Sequence, residues 1–275
     1  MRPVDRESEP AVALAAGTWH ARRGKAGLEA NLRRAGMREE GFWQQYGSWV
    51  SAMRGDYPGA LLDRVRDYAT PGGTVLDIGA GTGVFALPLA RSARSVTAVE
   101  PSPAQVSQLR EAIARERTSN IAILEQRWED VDAETLGGHD LVMAVHSLQM
   151  EDIVAALRKM CRVAVRCLLL VHPARSSLSS LLHDLFGIEP GPDYSPLDAI
   201  LGGLGYRPAV EFVEYSYDVP LDLQLDILRY NPGLDAGQCN EFRDFAVGHD
   251  MIAPRDGVPW MSRTGTDALV SVVSG

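Results

Sequence analysis

The stretch at residues 74–90, TVLDIGAGTGVFALPLA, constrains the fold of this chain more than any other part of it. Residues 75–78 suit a buried strand, and they pass directly into a turn with three glycines, Gly79, Gly81 and Gly83. Apolar residues at helical spacing follow at once. Glycine adopts positive φ and lets a ligand approach the backbone, while the free N–H groups of a helix start face the same point. The stretch therefore predicts a strand, a ligand-binding turn and a helix.

An acid at the end of the next strand indicates a nucleotide ligand. The strand-like run at residues 95–99 ends in Glu100, nineteen residues after Gly81, which is the spacing that brings a carboxylate to ribose hydroxyls. Residues 81–86, GTGVFA, also fit the G-x-G-x-x-A form of a dinucleotide-binding turn, so an NAD(P)-binding oxidoreductase is an alternative. Asp77 favours the other interpretation, because an acid at the mouth of the strand suits a cationic amino-acid group rather than a pyrophosphate.

The DIGAGTG sequence followed by VEPS resembles class I S-adenosylmethionine-dependent methyltransferases, over residues 42–172. The resemblance implies a Rossmann-like fold and S-adenosylmethionine as cofactor, with S-adenosylhomocysteine as product. Arg127 stands where many members of this family have an acid near the adenine, so only the two residues after it are assigned to that contact. The cofactor residues implied are Asp77, Gly79, Ala80, Gly81, Glu100, Pro101, Trp128, Glu129 and Val145.

Strand-like and helix-like segments alternate from residue 75 to residue 172, which predicts a mostly parallel sheet with a ligand crevice at its carboxyl edge. Two β-rich runs near the C-terminus, 210–217 and 268–273, predict an edge pair that completes seven strands. The predicted fold class is α/β, a three-layer sandwich with a seven-stranded sheet. We expect an N-terminal helical cap at residues 1–70, a methyltransferase core at residues 71–275 and a lid-like helical insertion at about residues 218–262, with Pro232-Gly233 and Asp256-Gly257 as hinges.

Two histidines follow predicted strands at the edge where the crevice opens. His146 follows the fourth strand and His172 follows the fifth. Unperturbed imidazole titrates near about pH 6.5, so either residue is a candidate general base. The alternatives are that His172 is a core histidine and that His146 only shapes the methionine pocket.

An aromatic series precedes the first strand. Trp43, Tyr46 and Trp49 recur at helical spacing, so they must cover an apolar surface. One interpretation is that they shield the sulfonium and form a wall of the acceptor pocket. The other is that they attach their helix to the core.

Composition limits the partners. The net charge of −9 disfavours nucleic acid, because phosphate binding relies on a basic surface. The three cysteines have neither paired nor metal-like spacing, which predicts reduced thiols, no metal and a cytoplasmic protein, and no apolar run is long enough for a membrane span. We therefore expect in-line methyl transfer to a small-molecule acceptor. A non-catalytic S-adenosylmethionine-binding scaffold or sensor is the alternative outside the enzymes.

Overall fold

The computed structural model describes residues 1–55 and 57–274. Its strands are β1 (Arg54–Gly55), β2 (Thr74–Ile78), β3 (Ser95–Val99), β4 (Ile121–Leu124), β5 (His139–Val145), β6 (Ala164–Ser176), β7 (Ala209–Pro220), β8 (Ile252–Arg255) and β9 (Val258–Val273). They form one sheet in the order β1-β7-β9-β6-β5-β2-β3-β4. Strand β8 is not part of this order and pairs with β9. Strands β2 to β6 pair in parallel with one another, whereas β7 and β9 run antiparallel to their neighbours.

Helices cover both faces of this sheet, as the α/β sandwich predicts. They are α1 (Glu9–Ala26), α2 (Leu28–Ala35), α3 (Glu39–Ala52), α4 (Gly59–Tyr68), α5 (Ala86–Ala90), α6 (Pro103–Glu116), α7 (Ala133–Leu136), α8 (Ile153–Val163), α9 (Ser177–Phe186), α10 (Ser195–Gly203), α11 (Leu221–Tyr230) and α12 (Ala236–Gly248). Alternate residues of β6 belong to different cores: Leu168 packs with Trp19 of α1, while Leu169 packs with Val65 of α4.

The predicted strand number of seven is wrong, because the described residues form nine strands. The two additional strands are β1, with two residues, and β8, with four. Neither is long enough to show an alternating pattern. Strand β8 forms because Asp256 and Gly257, with φ of 50° and 79°, make a two-residue turn back into β9. This pair, expected to be a hinge, is therefore the turn of a β-hairpin.

The N-terminal helices lie against different parts of the core. Helix α1 packs on α10 and α8, whereas α3 crosses the carboxyl edge of the sheet and contacts α6 and α11. Helix α3 is thus the element of this region that borders the predicted crevice.

The segment between β7 and β9 carries α11, α12 and β8. Strands β7 and β9 extend further than their sequence patterns indicate, and the first helix of the insertion begins at Leu221. Its buried residues, which include Leu225, Leu228 and Phe242, form a separate core with Leu178 and Leu182 of α9. In the described part of the chain, no helix has the length and apolar character needed to cross a membrane.

Candidate active site

A cavity of ≈ 1150 Å³ opens at the carboxyl ends of β2, β3 and β5. This volume is larger than the roughly 300–1,000 Å³ of ordinary small-molecule sites, so it has room for two ligands. Eleven of the residues assigned to the site from the sequence line it: Trp43, Tyr46, Gly79, Ala80, Gly81, Glu100, Pro101, Trp128, Glu129, Val145 and His146.

The glycine turn forms the floor of the cavity. Gly79 and Gly81 have φ of 76° and 58°, which other residues adopt at a cost. A Cβ on Gly79 would overlap the side chain of Ser147, so a larger residue at this position is excluded by contact as well as by conformation. The N–H groups of Gly79 and Ala80 both donate to the carbonyl of Val99, at 2.7 and 3.1 Å, which fixes the turn to the end of β3.

Glu100 lies against this turn. Its Oε2 accepts a hydrogen bond from the N–H of Gly81 and its Oε1 accepts one from the N–H of Ser102, both at 2.9 Å. Burial raises the pKa of Glu100, while these two backbone donors lower it. A carboxylate has about four acceptor positions, so two remain for hydroxyl groups of a ligand in the cavity.

Asp77 lies behind the cavity wall rather than in it. Asp77 is 2% exposed and is not among the residues that line the cavity. Burial, and then the nearby charge of Glu100, raise the pKa of Asp77 to about 7. Asp77 therefore acts on the cavity through its charge and through the glycine turn that follows it.

The turn at Trp128–Asp130, a single 3-10 turn, forms the opposite wall. The indole of Trp128 packs in the core, where Nε1 donates to the carbonyl of Ala156 at 3.3 Å, so the backbone of this residue faces the cavity. Lys159 of α8 donates to the carbonyls of Trp128, Glu129 and Val131, the last two at 3.0 and 2.8 Å. The single ammonium group of Lys159 thus holds the whole turn.

His146 occupies the end of the cavity nearest to β9. Its φ of 53° is unusual for a side chain with a Cβ, and it turns the imidazole towards Asp267. The distance from Nε2 to Oδ2 of Asp267 is 2.9 Å, and the hydroxyl of Tyr215 donates to Oδ1 of Asp267 at 3.3 Å. Because a carboxylate only accepts, Nε2 carries the proton and Nδ1 is the nitrogen free to accept one.

His172 has a different environment. It lies inside β6, not after it, because this strand continues to Ser176. Its Nε2 is 2.9 Å from the carbonyl of Pro192, and its ring centre is 5.1 Å from that of Trp19. Burial lowers the pKa of His172 to about 4, and the residue does not line the cavity. These properties match the alternative of a core histidine.

Some aromatic residues of α3 line the cavity and others attach the helix to the core. Trp43 and Tyr46 line the cavity, whereas Trp49 is buried against Tyr230 of α11, with ring centres 5.1 Å apart. The insertion contributes little to the cavity wall beyond Asn231. Its aromatic residues pack within the insertion, as Phe242 does, or against α3.

Sequence reasoning missed Tyr57, Lys159, Tyr215 and Asp267. Of these, Asp267 had a visible signal, since it is an acid directly before the apolar C-terminal run ALVSVV. The other three had none, because tyrosines and lysines are ordinary residues at strand and helix surfaces.

A comparison with protein families identifies the central part of the chain. A family model described as a methyltransferase domain matches residues 75–166, which include the glycine turn, Glu100 and His146. The central part of the chain is therefore a methyltransferase domain on a Rossmann-like fold. The domain match agrees with S-adenosylmethionine as the cofactor. The comparisons do not favour the oxidoreductase or the scaffold interpretation.

Solved structures share the fold of this methyltransferase. The YcgJ protein of Bacillus subtilis is 18% identical, with a TM-score of 0.54, over 78% of this chain and 97% of that protein. A candidate methyltransferase of Bacillus halodurans C-125 is 17% identical, with a TM-score of 0.56, over 78% of this chain and 99% of the other. A candidate type II methyltransferase of Anaeromyxobacter dehalogenans is 19% identical, with a TM-score of 0.56, over 80% and 97% of the two chains.

One curated relative matches a short part of the methyltransferase. A candidate ribosomal RNA small subunit methyltransferase A of Methanosphaera stadtmanae is 41% identical over 59 residues. The match spans 22% of this chain and 22% of the length of that protein.

The residues present fit the cofactor. The glycine turn brings its backbone to the cavity, and Glu100, which lines the same cavity, keeps two acceptor positions. The volume admits a nucleotide with an acceptor beside it. Among the described residues, no group of three His, Cys, Asp or Glu side chains lies together in a way that suits a metal ion.

Proposed function

We propose that this methyltransferase acts on a small-molecule acceptor by direct in-line displacement. The observation that carries the proposal is the shape of the cavity beyond the cofactor residues. It continues to His146, between Tyr57 and the α3 residues Trp43 and Tyr46. Aromatic walls around one polar group are typical of small-molecule sites. A nucleic-acid acceptor would instead need a basic surface, which a net charge of −9 disfavours.

The cofactor residues have separate roles in this proposal. Glu100 accepts hydrogen bonds from the ribose hydroxyls, and the Gly79–Gly81 backbone lies along the methionine part, close to the charge of Asp77. The backbone of Trp128 and the carboxylate of Glu129 meet the adenine, while Pro101 and Val145 enclose it. Bound S-adenosylmethionine supplies an electrophilic methyl group, and the alignment of the acceptor with it provides most of the acceleration.

His146 is the general base of the proposed reaction. As the acceptor atom attacks, its O–H or N–H bond breaks and the proton moves to Nδ1 of His146, leaving the bonding electrons on the acceptor atom. Asp267 fixes the proton on Nε2 and stabilises the imidazolium that forms, so it is a positioning residue. Tyr215 in turn holds the second oxygen of Asp267.

The test measures transfer of radiolabel from methyl-labelled S-adenosylmethionine into the small-molecule fraction of a cell extract. We expect His146→Gln to lower the rate by about 10²-fold or more, the usual scale of general-base catalysis, with unchanged affinity for S-adenosylhomocysteine. Asp267→Asn should lower the rate and shift its pH profile, because the imidazolium loses its partner. His183→Gln, on an exposed face of α9, is the matched control. Label that enters the RNA fraction, or full activity in His146→Gln, would contradict the proposal.

A further inference from the structure

We infer that Arg263 and Gln224 form a carboxylate-binding site that anchors the acceptor behind the part of the cavity wall made by Tyr46 and Tyr57. The inference rests on the proposed function, since it assigns the chemical class of the small-molecule acceptor. It starts from an arginine that has no charged partner among the described residues.

Arg263 lies on β9 opposite Tyr217 of β7, and its Cζ is 5.0 Å from the centre of the Tyr217 ring. Its Nη1 donates to Oε1 of Gln224 at 2.8 Å. The Nε–H is buried and has no hydrogen-bond partner. Within residues 1–55 and 57–274, no carboxylate forms an ion pair with this guanidinium, although twelve ion pairs occur elsewhere in that part of the chain.

Gln224 of α11 also has a buried donor without an acceptor. Its side chain is 0% exposed, its Oε1 is used by Arg263, and its Nε2 is buried without a partner. Buried donors without acceptors destabilise a folded protein, and here two of them lie beside a guanidinium. Both groups lack the same thing, a hydrogen-bond acceptor. A ligand group that only accepts hydrogen bonds and carries negative charge would satisfy them together.

The site lies one aromatic ring behind the cavity wall. Tyr46 and Tyr57 line the cavity, and Tyr217 is close enough to both to raise the pKa of their hydroxyls. Arg263 packs against the Tyr217 ring. Burial also lowers the pKa of Arg263, which agrees with a guanidinium that lacks an acidic neighbour.

The geometry favours a carboxylate over a phosphate. The unpartnered Nε–H of Arg263 lies in one plane with the N–H groups of Nη2, as in any guanidinium, and this fork matches the two coplanar oxygens of a carboxylate.

The distance between Arg263 and Asp267 along β9 indicates the length of the acceptor. Arg263 and Asp267 are separated by four residues of β9, roughly 13 Å at the usual rise per residue, and Asp267 holds His146. An elongated acid can therefore have its carboxylate at Arg263 and its methylated group at His146. Its body would lie among the tyrosines, so the expected class is a flat, mainly aromatic acid.

The test uses 4′-hydroxybiphenyl-4-carboxylate and its neutral methyl ester as probes. Their binding is measured by calorimetry on the full chain saturated with S-adenosylhomocysteine. For the wild-type protein we expect the acid to bind at least tenfold more tightly than the ester. Arg263→Gln should abolish this preference, and Arg255→Gln should retain it. Arg255 is the matched control because it is exposed, lies on the neighbouring β8 and already has Asp218 as a partner.

Gln224→Glu is the second variant. It places a carboxylate where Oε1 already contacts Arg263, so it should raise the melting temperature of the ligand-free protein and abolish the preference for the acid. A melting temperature that falls, or a preference that persists in either variant, would overturn the inference. Equal binding of acid and ester by the wild type, absence of binding by both, or tighter binding of the matching phosphonate would also overturn it. Loss of S-adenosylhomocysteine binding by the wild type would instead contradict the proposed function.

Discussion

Two buried acids, Asp77 and Glu100, lie beneath the glycine turn and influence the stability of the protein. Burial raises the pKa of both carboxyl groups, that of Asp77 to about 7. Their pKa values in the folded state therefore exceed those in the unfolded state, and the unfolded chain releases these protons first as pH rises. The protonated acids therefore stabilise the folded state. Their contribution to the free energy of unfolding is complete below about pH 4 and is lost as pH approaches 7.

Asp77→Asn should remove part of this pH dependence. We expect the ligand-free variant to gain stability relative to the wild type between pH 5 and pH 8, because its amide has no proton to lose. Its affinity for S-adenosylhomocysteine should fall, since the ligand ammonium loses a complementary charge. Thermal unfolding across this pH range and calorimetry measure the two effects. Asp63→Asn, which changes an exposed acid of α4, is the control. An identical pH slope in Asp77→Asn would refute the assignment.

At the scale of elements, the turn at Trp128–Asp130 depends on one residue of a neighbouring helix. Lys159 of α8 donates to three carbonyls of the turn and its ammonium lies 4.5 Å from the centre of the Trp128 ring. Burial lowers the pKa of Lys159, although the charged form is the one that satisfies the carbonyls. The adenine side of the cavity is therefore ordered by α8 rather than by its own short turn.

Lys159→Met should loosen this turn. Because carbonyls lose a charged donor, we expect the free energy of unfolding to fall by about 1–3 kcal/mol and the affinity for S-adenosylhomocysteine to fall severalfold. Denaturant unfolding and calorimetry are the measurements. Arg162→Met, on the exposed face of the same helix, controls for the loss of a positive charge. Unchanged affinity in a destabilised Lys159→Met protein would mean that the turn does not contact the cofactor.

At the scale of the whole molecule, charge and fold together determine the class of ligand. The sheet has its change of strand order beside β2, where a nucleotide site is expected in open α/β folds. The net charge of −9 opposes the binding of polyanions to this molecule. A mononucleoside cofactor agrees with both properties, and the proposal that ribosomal RNA is not the acceptor rests on the second.

Ligand-induced stabilisation tests this expectation. S-adenosylhomocysteine at a hundredfold its Kd should add about 2.7 kcal/mol to the free energy of unfolding. NAD and a small-subunit ribosomal RNA fragment, at the same concentration and physiological salt, should leave it unchanged. Stabilisation by the RNA fragment would favour an RNA acceptor, and stabilisation by NAD alone would contradict the cofactor.

The sequence by itself determined the features that depend on neighbouring residues. The glycine turn requires positive φ at Gly79 and Gly81, and the acid that follows the next strand stands at a regular distance along the chain. These features are local, because the backbone conformation of a short segment depends mainly on its own residues. They were sufficient for the fold class, the cofactor and most of the cavity floor.

Only the tertiary structure decided which distant residues meet. His146 pairs with Asp267 across 121 positions because β9 inserts between β6 and β7, and Arg263 meets Gln224 because α11 folds back on the same strand. The same packing buries His172 and Trp49, while it leaves His146 and Tyr46 in the cavity wall. Local spacing cannot encode these outcomes, since they follow from strand order and register, which the packing of the whole sheet selects.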